Sequence, residues 1–328
     1  MNRNAIAALC ALGVLGAGVI NTGKVAAQPA LTQSALPKAG APAGAPDRDK
    51  IVVPELIADT TAVVPGQSFT VGVHYKIQPE WHIYWKNPGG SGLATEVTWG
   101  LPPGTSQSET IFPAPMVFES PGPVLSYGYA DETMLMLEAK APENLPESGN
   151  VQITAKTKYL MCSDRCLPPA TKQLTLTLPV AKDAKPANAE LFKKYKALVP
   201  KKAGALPAEA KVTADVNGST TNFELTVTPP TGKALSADKH GQSVYFYPAD
   251  SKGFVIEPPK VTGDTKGDGA AKVFTGPVKV SWNTTPGNSD ATEPVKKLTG
   301  LLSYQTTSPD GATKDAPTLV EVENLPVQ

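Results

Sequence analysis

From Ile51 onward, apolar and polar positions alternate in short runs at 69–75, 95–99, 134–138, 151–155 and 174–178. The runs are rich in β-branched and aromatic residues and are bounded by Pro, Gly, Asn or Asp, the period-two pattern of half-buried strands. With no long helical period between them, they predict a small β-sandwich. The pattern breaks over 181–186. Beyond the break, Leu191, Phe192, Tyr195, Leu198 and Val199 share one helical face, Asn188 stands at the N-cap position, and Pro200 ends the helix. Alternation then resumes at 212–216, 223–227, 244–247, 278–282 and 301–304, predicting a second antiparallel β domain.

The start of the chain reads differently. Arg3 precedes an apolar run over 5–20, and Val25-Ala26-Ala27 offers small residues for cleavage, so residues 1–27 read as a signal peptide cut after Ala27. The run falls short of the ~20 apolar residues a spanning helix needs. Cys10 lies inside it, with Leu9 rather than a small residue immediately before it, which argues against lipidation. Residues 28–50 are rich in Pro, Ala and Gly with no apolar period and predict a flexible leader. The expected organisation is therefore an all-β chain: signal 1–27, leader 28–50, sandwich 51–184, helical linker 185–203 and second β domain 204–328.

Composition narrows the function. The 328 residues carry 30 basic and 30 acidic side chains, a balance that removes any charge-based case for nucleic acid as partner. No stretch after the signal reaches membrane-spanning length free of charge and proline, so the mature chain is expected to be exported, periplasmic, soluble and not membrane-inserted. No Ser nucleophile motif, H-E-x-x-H or Gly-rich phosphate loop is present, so no hydrolase reading is supported, and no resident cofactor is expected.

Cleavage would leave Cys162 and Cys166 as the remaining cysteines, in a compartment where disulfides persist. They flank Ser163-Asp164-Arg165 between two predicted strands, and a hairpin tip there would bring their Cα atoms to ~5 Å, within bridging range. Two uses stay open. A loop this short contributes only about 2 kcal/mol as a staple, whereas a redox couple would use the cations of Arg165, Lys158 and Lys156, with Asp164 opposing, to favour thiolate. A third reading joins Met161 and a histidine to the thiols to hold a soft ion such as Cu(I).

Several separated motifs share one order: Pro79-Glu80-Trp81-His82-Ile83-Tyr84-Trp85-Lys86-Asn87-Pro88-Gly89, Phe112-Pro113-Ala114-Pro115, Phe118-Glu119, Ser126-Tyr127-Gly128-Tyr129, and Cys162 through Pro168. Together they resemble the N-terminal periplasmic region of the DsbD thiol:disulfide interchange family, in the ScsB-like branch associated with suppression of copper sensitivity. The resemblance implies an immunoglobulin-like sandwich whose Cys166 forms the mixed disulfide with partners and whose Cys162 resolves it. It also implies a cap loop near 112–118 that shields the cysteines with an aromatic ring, Phe112 or Phe118. Tyr127, Tyr129, His82, Tyr84 and Arg165 are flanking candidates, although Trp81, Tyr84 and Trp85 equally suit strand packing, His82 suits an ordinary hydrogen-bonded role, and the two later tyrosines suit a strand end. The implied partners are periplasmic thiol-disulfide proteins and a separately encoded membrane or thioredoxin-like electron donor, since the chain carries no such region of its own. The expected function is thiol-disulfide exchange as a relay or protein-disulfide reductase component, with a non-catalytic interaction module or a copper-handling protein as alternatives.

Overall fold

The computed structural model describes residues 47–120, 124–146, 148–202, 211–217, 220–237, 243–249, 254–256, 260–267, 272–286 and 297–326. The expected signal peptide and the leader up to position 46 lie outside these residues. The end of the leader is structured, contrary to the composition-based boundary at Lys50. Helix α1 (Arg48–Ile51) is capped by the Asp47 carboxylate, Arg48 donates to the carbonyls of Pro168 and Pro169, and Lys172 pairs with Asp49 at 2.6 Å. Those partners lie some 120 residues away, so local composition carries no sign of them.

The first β region holds strands β1 (Val52–Ala58), β2 (Ser68–Ile77), β3 (His82–Gly89), β4 (Glu96–Gly100) and β5 (Ser106–Gln107), of which β2 and β4 carry the runs expected at 69–75 and 95–99. These continue as β6 (Met116–Ser120), β7 (Val124–Ala130), β8 (Glu132–Lys140), β9 (Asn150–Tyr159) and β10 (Ala170–Pro179). Strands pair antiparallel in the orders β1-β2-β8-β5, β10-β9-β4 and β3-β7-β6. Val71, Val73 and Tyr75 of β2 and Leu135 and Leu137 of β8 meet Ile153, Ala155 and Tyr159 of β9 in one core. The Tyr75 hydroxyl bonds Thr157 across it at 2.6 Å, tying the two sheets of the sandwich together.

Strands β2 and β8 depart from simple alternation because both of their faces are covered. Helix α2 (Ala189–Lys196) packs Phe192 and Tyr195 on Met134 and Met136, the outward residues of β8. Gly72 on β2 leaves the room: a Cβ there would stand 2.6 Å from the Met134 sulfur. Asn188 occupies the N-cap position as expected, but it does not cap. Its backbone is left-handed at φ 52° and its side-chain amide donates instead to the Ala58 carbonyl at 2.9 Å, fastening the helix start to β1.

The later region forms three further sheets, with the runs expected at 212–216, 223–227, 244–247, 278–282 and 301–304 in the first two. The first holds β11 (Lys201–Lys202), β23 (Thr318–Pro326), β21 (Lys297–Tyr304) and β15 (Val244–Pro248), in that order. The second runs β12 (Lys211–Asn217), β13 (Thr220–Val227), β20 (Val278–Pro286) and β16 (Phe254–Ile256), with β17 (Lys260–Thr262) also on β20. The third runs β18 (Thr265–Lys266), β19 (Val273–Phe274), β14 (Ala234–Ser236) and β22 (Thr306–Thr307). Leu225, Val227, Leu235, Val244, Phe274, Val280, Leu302 and Tyr304 form their core. Tyr247 and Leu301 turn the other way and join the core of the first sandwich, while Asn87 donates to the Pro248 carbonyl at 2.8 Å. The fold is thus all-β with a short helix between two β regions. No helix among the described residues is long and apolar enough to cross a membrane.

Candidate functional site

Strands β9 and β10 pair from Asn150 with Pro179 up to Tyr159 with Ala170, and the segment between them carries both cysteines at its end. The tip closes tightly: Cys162 and Cys166 lie opposite one another with Cα atoms 4.1 Å apart, joined by a disulfide. Leu167 donates to the Met161 carbonyl at 2.9 Å, closing the loop behind the bridge.

The two sulfurs are not equivalent. Cys162 is 1% exposed and packs with Tyr84 and Leu160, whereas Cys166 is exposed together with Asp164 and Arg165. The burial of Cys162 follows from its backbone, which exchanges two hydrogen bonds with His82, N–H to carbonyl at 2.9 and 3.1 Å. The cysteine loop is therefore stitched to the first residue of β3. Met161 alternates to the other side and lies in the sandwich core at 0% exposed, so it is not presented beside the thiols.

The aromatic candidates divide between the site and the core. On β3, His82 and Tyr84 project toward the cysteines, while Ile83 and Trp85 enter the core. The Tyr84 hydroxyl lies 3.8 Å from Cys166 Sγ and 3.3 Å from His82 Nε2. Phe118 stacks on the His82 ring, 4.3 Å between centroids and 16° between planes, which makes it the aromatic of the 112–118 region that reaches the site. Phe112 packs against the main core and lines a cavity of about 470 Å³ with Trp85, Val199 and Leu301. Tyr127 and Tyr129 face away from the cysteines: Tyr127 meets Tyr247 edge-on at 5.3 Å, and the Tyr129 hydroxyl donates to the Pro113 carbonyl. Lys156 and Lys158 are exposed on β9, and no group of three or more His, Cys, Asp or Glu side chains able to hold a metal ion occurs among the described residues.

Two glycines shape the pocket around Tyr84. Gly92 adopts φ +100°, and a Cβ on it would fall 2.2 Å from the tyrosine ring. Gly128 on β7 lets that strand approach β3 so closely that a Cβ would meet the Ile83 carbonyl oxygen at 2.0 Å. Burial pushes the Tyr84 hydroxyl above its ordinary pKa, with the Ser91 hydroxyl opposing, and holds the His82 imidazole below its usual value. At neutral pH both groups are uncharged beside the disulfide. The exact role of His82 was open from the sequence, because its backbone partner is Cys162, 80 positions away.

The model for thiol:disulfide interchange protein DsbD, N-terminal, matches residues 48–178. Among solved structures, the N-terminal periplasmic domain of ScsB from Proteus mirabilis is similar at TM-score 0.52 and 16% identity, over 83% of this chain and 92% of that one. The MSCRAMM ACE of Enterococcus faecalis aligns at 10% identity over 85% of this chain and 97% of that one, but its TM-score of 0.20 supports no shared fold. No curated protein matches the chain. The disulfide at the end of the β9–β10 hairpin fits thiol-disulfide interchange chemistry in general.

Proposed function

We propose that this chain is a periplasmic electron-relay or reductase module cycling Cys162 and Cys166 between disulfide and dithiol, a reading supported by the match of residues 48–178 to the DsbD N-terminal model and by the fold shared with the ScsB N-terminal domain. The observation that carries the reading is the asymmetry of the bridge, with one sulfur at the surface and the other sealed behind it. A stabilising staple has no need of such an arrangement, and a loop this short gains only about 2 kcal/mol from being closed.

In the reducing direction, the Cys166 thiolate attacks a sulfur of the partner's disulfide and expels the partner's other thiolate. The Cys162 thiolate then attacks Cys166 Sγ, breaks the mixed disulfide and releases the partner's second thiolate. Two electrons pass to the partner and the bridge between Cys162 and Cys166 is restored. Recharging is the reverse sequence with a dithiol donor, whose first attack falls on exposed Cys166. Partners are therefore thiol-disulfide proteins of the same compartment, including a membrane or thioredoxin-like dithiol donor.

The test is a non-reducing gel of periplasmic extract from cells expressing each single variant. Cys162→Ser is expected to accumulate covalent adducts through Cys166, and Cys166→Ser to accumulate none. A redox titration complements it: relay pairs titrate above about −300 mV, and resistant structural bridges below. Absence of adducts from both variants, with a potential in the lower range, would leave the bridge a staple.

A further inference from the structure

Behind Cys166 a line of polar atoms runs inward, from Sγ to the Tyr84 hydroxyl at 3.8 Å and on to His82 Nε2 at 3.3 Å. The imidazole at its end is held from several directions. Phe118 lies flat against it at 4.3 Å, the Tyr84 ring meets it edge-on at 5.1 Å, and its own backbone is paired with Cys162. A surface histidine has no need of such fixing, and a core histidine would not aim a ring nitrogen at the hydroxyl that touches the exposed sulfur. We propose that His82 is the proton acceptor and donor for Cys166, acting through the Tyr84 hydroxyl, so that thiol and imidazole titrate in the reduced protein as one coupled pair. The proposal rests on reading Cys166 as the exchanging thiol.

The step balances as a proton transfer with no change of oxidation state. Cys166 gives the proton of its S–H bond to the Tyr84 oxygen while Tyr84 gives its own to His82 Nε2, leaving thiolate, neutral phenol and imidazolium. The return path protonates Cys166 when the thiolate is no longer needed. Burial suits Tyr84 to its part, keeping the phenol protonated so that it passes a proton without holding charge, whereas burial of His82 opposes the imidazolium, and the thiolate formed in the same step is what offsets it. The groups facing the imidazole are Tyr84 from its own strand, Cys162 paired with its backbone from the loop, and the apolar Phe118 from β6, with Ala130 opposite on β7. Ser91 also hydrogen-bonds Tyr84. His82 acts on the sulfur through another residue and is a positioning residue in that sense.

The experiment measures the rate at which iodoacetamide alkylates Cys166 in the reduced full chain from pH 4 to 10, with the adduct located by peptide mass. The wild type is expected to keep reactive thiolate well below the ordinary thiol range, with two coupled inflections. His82→Phe preserves the ring contacts but removes the nitrogen, and should slow alkylation at pH 7 about tenfold and leave a single inflection, one unit of thiol pKa being a factor of ten in thiolate. His82→Gln, which keeps a hydrogen-bonding group without a titrating one, should lose the same inflection and serves if the phenylalanine variant does not fold. Tyr84→Phe should match His82→Phe, and the double variant should be no slower than either. Profiles of the His82 variants that superimpose on wild type, or a double variant slower than both singles, would overturn the relay. Alkylation needs no protein partner, so a failure here is distinct from a failure to trap adducts in the periplasm.

Discussion

Gly92 shows how much of the site depends on one missing side chain. Its backbone lies in the left-handed region and its α-carbon abuts the Tyr84 ring, so Gly92→Ala adds both a strained φ and a clash with a ring that is itself packed on Cys162. The expected cost is about 1–3 kcal/mol, read as a fall in melting temperature. The displaced phenol should also slow Cys166 alkylation toward the rate of Tyr84→Phe; unchanged alkylation would mean that the ring position does not matter to the thiol. At this scale the cysteine pair itself was legible, because two cysteines spaced across a turn suit a bridge. The choice between Phe112 and Phe118 was not legible, since both are phenylalanines a few positions apart in one proline-containing stretch and only the pairing of β6 with β7 brings Phe118 over His82.

At the scale of elements, α2 is a cover for the outer face of the β2-β8 sheet. Phe192 and Tyr195 fill the space over Met134 and Met136, and Phe192→Ala should cost about 3–5 kcal/mol as a buried aromatic truncation. An exposed-face change such as Lys193→Ala should leave the melt within about 0.5 kcal/mol of wild type. Beside this apolar contact, the Glu132 carboxylate at the start of β8 receives Lys194 of α2 and buried His74 of β2, the latter at 2.9 Å. Those hydrogen bonds, Lys194 first, hold its carboxyl below the ordinary value of 4.5. A lowered folded-state pKa means that the contribution is complete above that ordinary value and is lost as pH falls through the folded one. Thermal melts from pH 6 down to 2.5 should therefore fall less steeply for Glu132→Gln than for wild type, and parallel curves would remove this carboxylate from the acid response. The helix itself was readable from its 3.6-residue period, but not the destination of Asn188, whose amide is committed to the Ala58 carbonyl rather than to the helix's own N–H groups.

At the scale of the whole molecule, the two β regions share apolar surface. Tyr247 inserts between Trp85, 6.3 Å away, and Tyr127, 5.3 Å away, and the buried Asn87 amide bonds the Pro248 carbonyl beside it. Tyr247→Ala should destabilise by about 3–5 kcal/mol and, by loosening the shared contact, split a single calorimetric transition into two; a lower but still single transition would show that the remaining contacts suffice for cooperativity. The domain division proposed at 184–204 is tested by limited proteolysis over 182–202, where the exposed lysines of α2 compete with its docked face. The sequence by itself determined the all-β class, the helix, ten of the strands, the cysteine pair and the family resemblance. Each of these is written in neighbours two to four positions apart or in short contiguous motifs, within reach of local periodicity. Tertiary structure alone decided that β2 and β8 are buried on both faces, that the first sandwich borrows Tyr247 and Leu301 for its core, and that one sulfur is sealed while the other is exposed. It also brought His82, Tyr84, Phe118 and Cys166 together. Those contacts join residues tens to hundreds of positions apart, and their physical origin lies in strand register and in the packing of one layer on the next, neither of which any local window of the chain contains.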